Sequence, residues 1–465
     1  MDIRDFSESV MIMPFMYLGS KHKGFNDFFS MDEDSCIWAK EQKDDYDYSY
    51  KYLTKNVSLL AFDKEVSVCS FYYLKNEAKE KLQIPRPNSE VQMSVKSLEG
   101  PVEEYKFYLT NIRLVYFTTK IGFLLLYIKH PYGERMQAIA DKMFSLSRCM
   151  MIEHDGKFNN ECKTKESFMK FQFLSDDKIV NFSLKNSVLA IMNAENDKKC
   201  QIIKLFHDAS IKKAFVYHRL FFTNLSDDNK KRNLYFLRRG LSSNSMYSDE
   251  EEERNSRDIT YYSYEKALWS ISPQGAVSLS ICEKDSSHYK FLTSAYQRNI
   301  MSNYFFLYLL QLHERQALVF YNAIAIRNRK DMRKLASMKK SLLNFFVCFS
   351  INSISDESSY QNFYECVYDS LNLNKLESDI KEIICQVEEY ELSINDRRMN
   401  EMLAVIALFS IVSVTLDGLN FVDRINNINK NPLGQFHVVW LCIIFVSLVL
   451  ATIKYFKKPK NDDEF

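Results

Sequence analysis

Seven residues, Met399, Met402, Ile406, Ser410, Ser413, Asp417 and Asn420, follow one another at steps of three and four. At about 100° per residue they fall, with Asn395 below them, in a stripe of about 80° on one helix face. Apart from Thr415, every polar residue between 402 and 421 lies in that stripe. A carboxylate and an amide at one end of an otherwise apolar helix can gather cations at the mouth of a shared water-filled path. Ile406, Met402 and Met399 below them can close such a path by dewetting. The competing structural reading is that Ser410 and Ser413 bond their own backbone carbonyls, while Asp417 reaches the headgroups or caps a loop.

The elements that would carry this stripe are two membrane spans. Residues 402–416 contain no charge and as a helix reach about 22 Å, or about 30 Å if extended to Phe421, against a hydrocarbon core of roughly 30 Å. Residues 433–453 form a second stretch without formal charge, His437 being neutral. Arg397 and Arg398 precede the first stretch, and Lys454, Lys457, Lys458 and Lys460 follow the second, while the connecting segment carries no basic excess. The positive-inside bias then places both chain ends in the cytoplasm, in a multi-pass protein of the cell inner membrane. Tyr455 stands where an interfacial anchor belongs. The alternative is a helical hairpin buried in a soluble protein, which the near-span lengths and basic flanks disfavour.

Upstream, Leu376, Ile380, Ile383, Val387, Tyr390 and Ile394 make a heptad seam that runs without a breaker into the first span. One continuous helix is expected over 375–417, about 60 Å long, serving as stalk and first transmembrane helix. An extracytoplasmic loop over 418–432, a second transmembrane helix over 433–456 and a cytoplasmic tail over 457–465 complete the expectation. Neither Gly nor Pro occurs between Ala276 and Asp417, which favours long helices. Those at 303–326 and 332–349 constitute a helical hairpin region over 291–374, with a polar loop at 353–360.

Residues 1–290 read as a cytosolic α/β domain. Strand-rich runs occupy 105–110, 112–117, 121–128, 179–184, 213–222 and 276–282, with a helix at 137–147. Residues 242–257 read as a solvated acidic loop, for which Lys230, Lys231, Arg232, Arg238 and Arg239 serve as counter-charges. The fold class expected is therefore an α+β membrane protein.

Composition narrows the function further. Sixty-one basic and sixty acidic side chains give a net charge of +1, so no basic excess asks for direct nucleic-acid binding. Ten cysteines are scattered singly, as reduced cytosolic thiols would be. The acidic N-terminus and Pro14 argue against a cleaved signal. No phosphate-cradling glycine loop, zinc-protease motif or nucleophile elbow is present. His313 reads as a helix-surface or interface residue, and neither enzymatic activity nor a resident cofactor is expected.

The order of a cytosolic α/β domain, a long helix, Gly418-Leu419-Asn420-Phe421 between two spans, and a lysine-flanked C-terminus resembles the CorA-like divalent-cation transporters. Leu419 stands where that family has Met, and Asp417 where it commonly has Tyr. The resemblance implies a homopentamer with first spans lining a pore. Asn420 would face the hydrated ion, Gly418 would permit a tight turn, and magnesium or a similar divalent cation would be the permeant ion. Asp417 in place of Tyr would let a carboxylate meet ions directly. The family also includes members associated with type III CRISPR loci. That resemblance implies an alternative role as a membrane-acting defence effector that binds a small nucleotide messenger.

Overall fold

The computed structural model describes residues 6–16, 37–41, 52–55, 57, 69–96, 102–119, 121–152, 168–175, 178–182, 184, 187, 214–223, 229–250, 257–328, 331–349 and 354–429. The second expected span, the tail and residues 430–432 of the expected loop lie outside the described residues. The chain divides into two units, Met1–Glu382 and Ile383–Phe465.

The first unit is built on a 12-stranded mixed sheet. Its strands are β1 (Phe6–Met16), β2 (Trp38–Lys40), β3 (Cys69–Leu74), β4 (Glu90–Lys96), β5 (Val102–Phe117), β6 (Ile121–Lys129), β7 (Phe168–Ser175), β8 (Lys178–Phe182), β9 (Phe215–Phe222), β10 (Ile259–Tyr264), β11 (Ala267–Ser272) and β12 (Gly275–Ile281). The spatial order is β10-β11-β12-β9-β1-β6-β5-β4-β7-β8, with β3 pairing β2 and β5. Only β12 and β9 run parallel among these pairs. The runs expected at 105–110 and 112–117 are a single 16-residue strand. Its length lets one edge of β5 carry β4 and then β3, while the other pairs with β6. The register slips between Leu109 and Asn111, a bulge that absorbs the break seen in the sequence pattern.

Alternation sorts the central strands between two faces. Met11, Met13 and Phe15 of β1, Leu124, Leu126 and Ile128 of β6, and Val216 and Leu220 of β9 join a core with α2 (Met136–Ile152) and α3 (Lys230–Arg239). Helix α3 ends on Gly240, whose φ of 57° is the left-handed geometry glycine accepts without strain. The opposite face carries an aromatic core. Tyr217 of β9 and Trp269 of β11 pack with Tyr304, Phe305 and Phe363 at ring separations of 4.5–5.9 Å.

These last aromatics come from the helical region. A π-turn, Ile300–Tyr304, leads into α4 (Phe305–Arg327), followed by α5 (Met332–Phe349) and α6 (Ser358–Leu371). The polar loop expected over 353–360 is thus shorter, because Ser358 already starts α6. Helices α4 and α6 are tied by Gln311 Nε2, which donates to the Tyr364 carbonyl at 2.7 Å. Residues 1–290 and 291–374 lie together in the one unit.

Asn372, with φ of 56°, closes α6 in the left-handed conformation, and α7 (Leu373–Asn429) starts directly after it. Its 57 residues make it about 85 Å long at 1.5 Å per residue. The continuous helix expected over 375–417 is present and longer at both ends. It runs on through residues 418–429 of the expected loop because no proline interrupts that segment and its one glycine is tolerated in a helix.

Candidate functional site

Helix α7 is unbroken from Met399 to Asn420, so the seven stripe residues keep their common face. It is long and apolar enough to cross a membrane: its most apolar 18-residue window has a mean hydropathy of 2.2, and none of that window is buried. Met402, Ile406 and Met399 are exposed, and so are Phe409, Val414 and Phe421 on other faces. Apolar surface open on every side needs a cover of lipid or of other helices. Asp417 and Asn420 are exposed, and Leu419 is half-buried.

Two details bear on the expected roles. Ser410 Oγ donates to the Ile406 carbonyl at 3.0 Å, so this hydroxyl satisfies a backbone group and keeps only its lone pairs for an ion. Gly418 continues the helix, and an added Cβ there would meet nothing within 4 Å. The tight turn expected at Gly418 is not formed.

His313 departs from its expected surface position. It is fully buried on α4, stacked on Phe117 at 3.8 Å, with Nε2 2.6 Å from Thr119 Oγ1. Burial pushes its pKa down to about 3, so it is a neutral core residue. Arg238 and Arg239 of α3 differ from their reading as counter-charges to the acidic loop. Arg238 and Arg239 converge on the buried Asp258 carboxylate at 3.0 and 2.7 Å, while Lys231 pairs with Asp249 of the acidic segment. The expected loop is anchored at its start, where Asp141 of α2 accepts bonds from Ser242 and Ser243.

No family model and no curated protein matches the chain.

Two constellations in the first unit were not visible in the sequence. Ser9 Oγ lies 2.6 Å from His130 Nε2 and 2.7 Å from His218 Nδ1, and Lys142 Nζ lies 3.3 Å from His130 Nδ1. Lys142 also donates to Glu134 at 2.5 Å and to the Lys106 carbonyl at 2.6 Å. A serine between two histidines has the elements of a nucleophile, but all four side chains are buried. Burial, with Lys142 beside it, holds His130 well below the usual histidine range, and burial takes His218 down to about 4. The cluster ties β1, β9 and α2 to the residue that follows β6.

The second constellation is a cavity of about 590 Å³ on the opposite sheet face, walled by β5, β6 and the π-turn. No group of three or more His, Cys, Asp or Glu among the described residues is arranged to hold a metal ion.

Proposed function

We propose that the chain is a membrane-anchored subunit that self-associates around α7 to conduct cations, under control of its N-terminal unit. The observation that carries this reading is the uninterrupted helical register from Met399 to Asn420, in which an acid, an amide and two serines share one face, and Thr415 is the one other polar residue from 402 to 420. Facing lipid, a carboxylate costs roughly 2.5–3.5 kcal/mol at the bilayer centre and less toward the interface. Facing a common axis, several Asp417 carboxylates concentrate cations, with Asn420 and Leu419 at the mouth and Ile406, Met402 and Met399 forming the constriction below.

The CorA resemblance adds the finer assignments. These are a homopentamer in the inner membrane, a second span closing the hairpin so that both ends are cytoplasmic, and magnesium or a similar divalent ion as the permeant species. In this reading a helical Gly418-Leu419-Asn420 extends the pore lining and does not turn away from it.

The test is ion flux through purified full-length protein in liposomes. Asp417→Ala and Asn420→Ala are expected to reduce cation flux severalfold, while Val414→Ala, off the stripe, leaves it intact. Flux equal in all three variants and wild type, or no flux from any, overturns the proposal.

A further inference from the structure

Two irregularities of the backbone meet at the cavity on the sheet face. The bulge in β5 brings Thr110 and Asn111 to its wall, and the π-turn brings Met301 and Ser302. Bulges and π-turns disturb regular hydrogen bonding and recur where a fold shapes a site. Tyr217 of β9 holds the π-turn by donating to the Ile300 carbonyl at 2.6 Å.

The cavity is built to be lined by both flat and charged groups. Tyr127 and Phe305 stand on its wall with rings 6.2 Å apart, and the Arg113 guanidinium lies 5.3 Å above the Tyr127 ring. A neighbouring recess shares Thr110, Asn111, Arg113, Tyr127 and Met301 and adds Glu8 and Arg219.

The charges do not balance. Arg113 pairs with Glu41 at 3.2 Å, and Arg219 pairs with Glu8. Lys79, on the short helix α1 (Asn76–Lys81), also lines the cavity. Its ammonium donates to Asn76 Oδ1 at 3.3 Å and meets no carboxylate among the described residues. The buried Arg219 Nε likewise has no acceptor among them. Three cations thus face two carboxylates, with guanidinium groups suited to planar oxyanions.

We propose that this cleft binds a small organic anion with a flat ring. The phosphate or carboxylate is held by Lys79 and Arg219, and the ring lies against Tyr127 and Phe305. The cavity of about 590 Å³ that Lys79, Tyr127 and Phe305 line suits a ligand of that size, with Arg219 supplied by the adjoining recess. Binding here goes beyond ion conduction by α7 and holds whether or not that helix conducts.

Isothermal titration calorimetry on the full-length protein in detergent tests it with four probes. AMP and indole-3-acetate combine ring and anion in phosphate and carboxylate form; adenosine and inorganic phosphate each supply one half. At least one ring-bearing anion is expected to bind with Kd below ~1 mM, and whichever binds tighter names the anionic group. Lys79→Met and Arg219→Met are each expected to weaken that binding about tenfold or more, a loss of one salt-bridging contact. If Arg219→Met lowers the melting temperature, the half-buried rim residue Lys79 decides alone. The proposal is overturned if neither ring-bearing anion binds, if adenosine or phosphate alone binds as well, or if Lys79→Met leaves the affinity unchanged.

Discussion

Glu314 of α4 lies near Glu377 at the root of α7, and both are buried. Burial first, and the neighbouring Glu377 second, raise the Glu314 pKa to about 8. Glu377 in turn accepts from Tyr368 at 2.6 Å and from Lys381 at 2.8 Å. Glu314 therefore keeps its proton at neutral pH.

This pair predicts an alkaline loss of stability. Between the ordinary carboxylate value, about 4.3, and about 8 the folded chain holds a proton that the unfolded chain has released. Stability therefore falls as pH rises through that window and levels off above it. Glu314→Gln keeps a neutral donor and removes the titration. Its melting temperature is expected to exceed that of wild type at pH 8 and to match it near pH 5. Parallel profiles for the two proteins would show that Glu314 is already ionised.

The buried histidines act at the acid end. His313 and His218 are held at about 3 and 4 by burial, so the unfolded chain takes up protons near pH 6.5 that the folded chain refuses. Stability from this source is complete above pH 6.5 and is lost as pH falls toward 4. His313→Phe preserves the stack on Phe117 and removes one of these groups. Its denaturation midpoint is expected to fall less steeply between pH 6.5 and 4 than that of wild type.

Asp258 is fully buried against Arg238 and Arg239. Asp258→Ala leaves the Arg238 guanidinium, also buried, without its carboxylate, and this is expected to cost about 3–5 kcal/mol in urea unfolding. Lys231 and Asp249 form an exposed pair at 3.2 Å, and Asp249→Ala is expected to leave the midpoint unchanged. Equal effects of the two substitutions would place the stabilising charge contact in the acidic segment instead.

The difference between these pairs shows what the sequence could and could not convey. Charge runs announced that α3 had acidic neighbours, but which acid was buried depended on β11 packing against the helix, with Asp258 just ahead of the neighbouring β10. The strands of 102–129 were legible because Val, Ile, Tyr and Phe are dense there. Strand β1 was not, although it is central, because Pro14 reads as a breaker. Pro14 stands in β1 opposite Phe123 of β6, beyond residues 6–12, which are those that pair with β9 among the described residues. The cleft residues Lys79, Arg113 and Arg219 lie on three separate elements, and no spacing along the chain could join them. Helix α7 was the most legible element, since the absence of breakers and the heptad seam are local signals. Its continuation past Asp417 was masked by the resemblance, which placed a turn at Gly418.

Gly418→Ala separates the helical form of that segment from the turned one. In the helix the backbone at Gly418 has ordinary φ, and an added Cβ meets nothing within 4 Å. Alanine then exceeds glycine in helix propensity by about 0.8–1 kcal/mol, and the variant is expected to melt in detergent at the same temperature as wild type or slightly above it. In a turn that needs φ above zero, a Cβ is strained, and the same substitution destabilises. Cation flux supplies the second readout. A helical Gly418 keeps Asp417 and Asn420 in register when it becomes alanine, so flux is expected to persist. A fall in melting temperature together with lost flux would show that the chain turns at Gly418 when the protein works.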